Sequence, residues 1–173
     1  MTNIRSKAIC WGCSAILISM PIAAIYFAFN LDLLISVAKQ NLRLNIQWHT
    51  VTRGQAYWLW ALTVLSVVPI CIAIVFLRRA FASFANGDFF NLSNSRSLRY
   101  FSLYLFIQAI ARPLHFSISS LVLSANHPAG QKLFAISFGS NEIILMALAI
   151  LFWVLSDLLV QACSIDSENK QFV

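Results

Sequence analysis

The sequence predicts an all-α membrane protein of four transmembrane helices in one domain, 1–173, with a small two-stranded β-element outside the membrane. Three observations predict it. Of the 173 residues, 60% are hydrophobic and only 10% charged, and the mean hydropathy is +0.76; a soluble domain carries roughly 25% charged residues. Four apolar runs, 8–29, 57–77, 100–123 and 143–163, hold 22, 21, 24 and 21 residues. At ~1.5 Å per residue each can cross a hydrocarbon layer of ~30 Å. The basic residues then divide unevenly between alternate ends of these runs. Arg5, Lys7, Arg78, Arg79, Arg96, Arg99 and Lys170 fall on one side, and Lys39, Arg43, Arg53 and Lys132 on the other. Seven against four places both termini in the cytoplasm, because positive residues resist translocation.

The first run follows Arg5 and Lys7, as a signal peptide would, but it continues through Ile25-Tyr26-Phe27-Ala28-Phe29 to full span length, so a retained helix is expected. Ala8, Gly12, Ala15, Ser19 and Ala23 recur every three or four positions and make one small face, suited to close helix packing in lipid. Trp11 and Tyr26 suit the two interfaces.

Residues 30–56 form a long outer connection. Within it, residues 42–49 alternate apolar and polar, which predicts a half-buried strand. Residues 132–138, in the later outer connection, give a second strand that could pair with the first. Irregular loops on the headgroups are the plain alternative, since a lone two-stranded unit is marginal in water. The second span opens on Tyr57, Trp58 and Trp60 as an aromatic anchor and contains Pro69, a kink site.

The connector 78–99 reads RRAFASFANGDFFNLSNSRSLR. The second helix is expected to run on to about Asn86. Gly87 fits the position just past a helix end, where φ is usually positive. Asn91 is a natural cap for the next helix. Phe81, Phe84, Phe89 and Phe90, with Gly87 among them, form an aromatic surface bounded by Arg78, Arg79, Arg96 and Arg99. Such a surface can lie among anionic headgroups or dock a cytoplasmic protein.

The pattern Phe84, Gly87, Phe89, Asn94, Leu98-Arg99 resembles the connector of an uncharacterised family of small bacterial four-helix membrane proteins, catalogued as a domain of unknown function. The tail 168–173, ENKQFV, is similar to that family's, with Lys170 and Gln171 where more acidic residues are usual. The resemblance implies a bacterial inner-membrane protein. It also implies a regulatory partner, since members are often encoded beside a small helix-turn-helix regulator. It supplies no catalytic residues.

Arg112, followed by Pro113, and Asp157 are the charges deepest in the spans. A guanidinium at such depth must face protein or water. Measured from the assumed cytoplasmic ends of the spans, the two lie ~18 and ~9 Å deep, within reach of an Arg112–Asp157 pair. Glu142 competes from the outer side. Ser140 or Asn141 can cap the fourth helix, with Glu142 at its positive end. A structural lock between two helices is the simpler reading of the charge pair, and a gate or ion path the other.

Cys10-Trp11-Gly12-Cys13 spells C-x-x-C, but at the start of a membrane helix rather than a strand–helix edge, so redox chemistry is not expected. His49, His115 and His127 are scattered, and no phosphate loop, metal motif or nucleophile elbow occurs. No enzyme, cofactor or metal is expected. The basic residues form no stripe, so nucleic acid is not a direct partner. The expected partners are the bilayer, a cytoplasmic regulatory protein and, compatibly, further copies of the chain. The leading expectation is a membrane-embedded interaction or regulatory protein; the alternative is a transporter or channel subunit using Arg112 and Asp157.

Overall fold

The computed structural model describes residues 2–42, 46–87, 91–128 and 132–169. It contains five helices: α1 (Thr2–Phe29), α2 (Leu31–Leu42), α3 (Arg53–Ala85), α4 (Leu92–Ser124) and α5 (Ser140–Asn169), with one 3-10 turn at Trp48–Thr50. Four of them, all but α2, are long and apolar enough to cross a membrane. This is a multi-pass membrane architecture. The long helices pack in a row, α1 on α3, α3 on α4 and α4 on α5.

Each neighbour pair is antiparallel. On α1 and α3, Cys10 Sγ meets Arg78 O, while Trp60 Nε1 donates to Ala24 O at 2.8 Å. On α3 and α4, Gln55 Nε2 donates to Val122 O, and at the other end Phe76 stacks on Tyr100. On α4 and α5, Ser95 faces Ser156 and Ser102 donates to Ala149 O, seven residues further along each helix. Arg78, Arg79, Arg96 and Arg99 therefore gather at one end of the bundle, called here the basic end.

α1 turns its small face outward. Ala8, Gly12, Ala15, Ser19 and Ala23 are all exposed, and a Cβ on Gly12 would meet nothing within 4 Å. The packing expected of that face is carried instead by the neighbouring one, through Cys13, Met20 and Ala24.

The expected outer β-element is not present among the described residues. Its first strand, 42–49, is not formed among the described residues: Leu42 closes α2, and Trp48 and His49 belong to the 3-10 turn. Leu31, Leu34, Ala38 and Leu42 of α2 recur at helical spacing and pack with Leu59 and Leu123 at the far end of the bundle. Asp32 in the first turn and Lys39 in the last complement the helix dipole; Arg43, Leu44 and Asn45 lie outside the described residues. The second predicted strand is extended, but helix α4 takes the place of a strand partner. Ser124 Oγ accepts the Leu133 N–H at 3.0 Å, and Ser120 Oγ accepts the Ala135 N–H at 3.1 Å. Two extended residues rise ~6.8 Å and four helical ones ~6 Å, so a strand can descend a serine ladder of this spacing in step. Leu133 and Ala135 turn toward α4 while Phe134, Ile136 and Phe138 face outward.

This descent sets where α5 begins. The register from Ser95–Ser156 and Ser102–Ala149 puts Ser140 opposite Ala111, about two fifths of the way down α4 from its Ser124 end toward the basic end. The last turns of α5 accordingly run past Arg99. Glu142, rather than the expected Ser140 or Asn141, closes the helix start, its Oε2 accepting the Gly139 N–H at 2.7 Å.

Candidate functional site

Arg112 stands at mid-height on α4, opposite the start of α5. Its Nε lies 3.5 Å from Glu142 Oε1; the Arg112 side chain is 44% exposed and that of Glu142 10%. Both carboxylate oxygens are thus engaged, one by the guanidinium and one by the Gly139 amide. The Arg112–Asp157 pair expected from span ends is not formed. Asp157 is exposed and lies opposite Asn94, 18 residues down α4 from Arg112, or about 27 Å along the axis. The competing Glu142 wins because α5 starts level with Arg112 instead of at the far end of the bundle.

Polar groups continue along α4 from this pair. Gln108, one turn toward the basic end, is buried, and its Oε1 has no hydrogen-bond partner among the described residues. One turn the other way, His115 Nε2 lies 3.5 Å from Thr63 Oγ1 and 3.4 Å from Ser119 Oγ. An apolar cavity of about 310 Å³ opens beside His115 between α3 and α4, lined by Leu65, Pro69, Leu114 and Ile118. The cluster holds a charge pair and, one turn along α4, an imidazole set between two hydroxyls. No three His, Cys, Asp or Glu side chains converge on a metal position among the described residues.

At the basic end, α3 closes as its sequence dictates. The helix ends at Ala85, Asn86 follows as its cap, and Gly87 takes φ 91°, a left-handed value that costs glycine little. Asn91 caps α4, its side chain accepting the Ser93 N–H at 2.9 Å. Phe81 and Phe84 do share one face, edge to face at 5.6 Å, but they are half-buried rather than fully exposed. Asp88, Phe89 and Phe90 lie outside the described residues. Beyond the level of Arg99, α5 projects an apolar surface: Val154, Leu155, Leu158 and Val160, which the sequence reading placed inside the membrane, and Ile165 just past that span are all exposed. Leu158 lies opposite Ser93, six residues past Arg99, or about 9 Å.

The profile of a family described as Protein of unknown function (DUF2975) matches residues 45–173, three of the four spans and both connections between them. The chain belongs to this family. Comparison with curated proteins and with solved structures gives no match. The matched range holds everything that shapes the DUF2975 site: the Gly87 turn, the serine ladder, Arg112 and Glu142. α1 and α2 precede it.

Proposed function

We propose that this DUF2975 protein is a non-enzymatic interaction protein of the bacterial inner membrane, with both termini cytoplasmic, whose basic end docks a soluble regulatory protein. The observation that carries this reading is the α4–α5 register. It drives the apolar residues Leu158 and Ile165 of α5 past the level of Arg96 and Arg99, where a lipid-buried surface is not needed. Exposed apolar surface outside hydrocarbon marks an interaction site. The half-buried Phe81–Phe84 pair and the Gly87 turn lie at the same end of the bundle, on α3. The partner class is the small helix-turn-helix regulator that the family resemblance implies, so the membrane protein would hold such a regulator at the membrane without touching nucleic acid itself.

Two measurements test it. Cysteine labelling in cells should find positions 91, 158 and 171 reachable from the cytoplasm, and positions 45 and 130 from outside. Crosslinking from position 158 should then capture the co-expressed neighbouring regulator, and Leu158→Asp or Gly87→Val should abolish capture while insertion persists. Labelling of position 91 from outside, or capture unaffected by both substitutions, overturns the reading.

A second reading, a small transporter or channel subunit, is favoured by the Arg112–Glu142 pair at mid-height beside a helix that starts there. Charged groups at such depth commonly mark ion or substrate paths. Ion flux in vesicles that disappears in Glu142→Gln would support it.

A further inference from the structure

A second feature of the basic end concerns a smaller ligand than a protein. Arg96, Arg99 and Leu103 recur on α4 at spacings of three and four and share a face. With Tyr100 and, from α5, Trp153, they line a cavity of about 330 Å³. The Arg99 guanidinium lies over the Trp153 ring at 4.6 Å from its centroid. Neither Arg96 nor Arg99 has a carboxylate within ion-pair distance among the described residues, and both are exposed.

The position of this cavity is as informative as its lining. Arg99 ends an uncharged stretch of α4, 100–111, and Arg78 ends one of α3, 54–77. Phe76 ties the two levels together, stacking on Tyr100 at 4.9 Å, with the Arg79 guanidinium 5.4 Å from the centroid of the same ring. Cations and aromatic rings at such a boundary sit at the headgroup layer. Along the cavity, polarity falls from Arg96 through Arg99 and Tyr100 to Leu103, about 10 Å up α4. A phospholipid has the same gradient: phosphate first, acyl chain after.

We propose that this cavity is a binding site for one anionic phospholipid, with Arg96 and Arg99 on the phosphate, Tyr100 donating to the headgroup, and Leu103 and Trp153 against the first methylenes. Two guanidiniums three residues apart give the phosphate several N–H donors, and a net anionic headgroup keeps an attraction that a zwitterionic one cancels. The site depends neither on which side of the membrane the basic end faces nor on a protein partner.

The test uses the full chain, delipidated in a neutral maltoside detergent and titrated with phosphatidylglycerol or phosphatidylcholine, with bound lipid counted by native mass spectrometry. One phosphatidylglycerol should bind at least about tenfold more tightly than phosphatidylcholine. Arg96→Gln with Arg99→Gln should erase that preference, and Lys39→Gln with Arg53→Gln, an equal charge loss at the other end, should keep it. Leu103→Trp fills the cavity with both charges in place; it should also weaken phosphatidylglycerol and carries the test if the arginine variant does not fold. Equal binding of the two lipids, a preference that survives both cavity variants, or displacement of the lipid by millimolar inorganic phosphate overturns the site.

Discussion

Ser95 and Ser156 hydrogen-bond each other's backbone across the α4–α5 interface. Ser95 Oγ donates to Ser156 O at 2.8 Å, Ser156 Oγ donates to Ser95 O at 3.0 Å, and the two hydroxyls lie 3.1 Å apart. Small side chains let the backbones approach, and the reciprocal bonds fix one register. Ser95→Ala and Ser156→Ala should each cost about 0.5–1.5 kcal/mol. Because the two residues form one unit, their double-mutant cycle should be non-additive. Ser156→Leu, at a position with no exposed surface, should cost more through overpacking and disturb the register. Unfolding in mixed detergent measures all three.

The charge pair predicts a second cycle. Arg112→Leu strands a buried carboxylate, and Glu142→Leu strands both the guanidinium and the Gly139 amide. Arg112→Leu should destabilise the bundle by about 1–3 kcal/mol, the usual cost of a buried polar group left without its partner; Glu142→Leu should cost less, because the Arg112 side chain is 44% exposed and Gly139 is exposed. The double variant should recover part of the loss, though not the Gly139 bond. Asp157→Leu, at an exposed position, should stay within about 0.5 kcal/mol of wild type. A cycle that couples Arg112 to Asp157 instead would refute the register.

Gly87 is needed for its backbone and not for space. Its φ is 91°, yet a Cβ there would meet nothing within 4 Å. Gly87→Ala should therefore cost about 1–2 kcal/mol in left-handed strain, while Gly87→Asn should recover much of it, since Asn tolerates that region. Thermal denaturation of the two variants in one detergent makes the comparison.

The serine ladder predicts a local effect. Ser120→Ala and Ser124→Ala each remove the acceptor of one amide of the extended segment. Hydrogen exchange at Ala135 should accelerate in the first and at Leu133 in the second, roughly tenfold for each ~1.4 kcal/mol lost, while the α3–α4 core stays protected. Uniform acceleration across the bundle would mean the serines act through global stability alone.

Much of this architecture was legible in the sequence, for physical reasons. Uncharged runs of span length have few alternatives, and Gly87 and Asn91 carry capping chemistry that is local. The height at which helices meet is not local. Counting from span ends placed Arg112 near Asp157 because it assumed that all four helices start at a membrane surface. Residues 133–139 break that assumption, descending in extended form at ~3.3 Å per residue beside a helix that rises ~1.5 Å. The signal was present in Ser117, Ser120 and Ser124 at helical spacing, together with the alternation of residues 132–138, but only the alternation was read. Alternation over residues 42–49 suggested a strand where Trp48 and His49 instead take a 3-10 turn, and the stripe of Leu31, Leu34, Ala38 and Leu42 just before it, which makes α2 a helix, was not read.

The serine ladder also constrains biogenesis. Extended backbone cannot enter hydrocarbon with its amides bare. The acceptors for Leu133 and Ala135 belong to α4, which leaves the ribosome first. α4 can be released into lipid as an ordinary helix, but the segment that follows cannot leave the aqueous channel of the insertion machinery until Ser120 and Ser124 are in position to receive it. The last span is thus assembled onto a template already in the membrane, and its insertion is vectorial: α4 before the strap, the strap before α5.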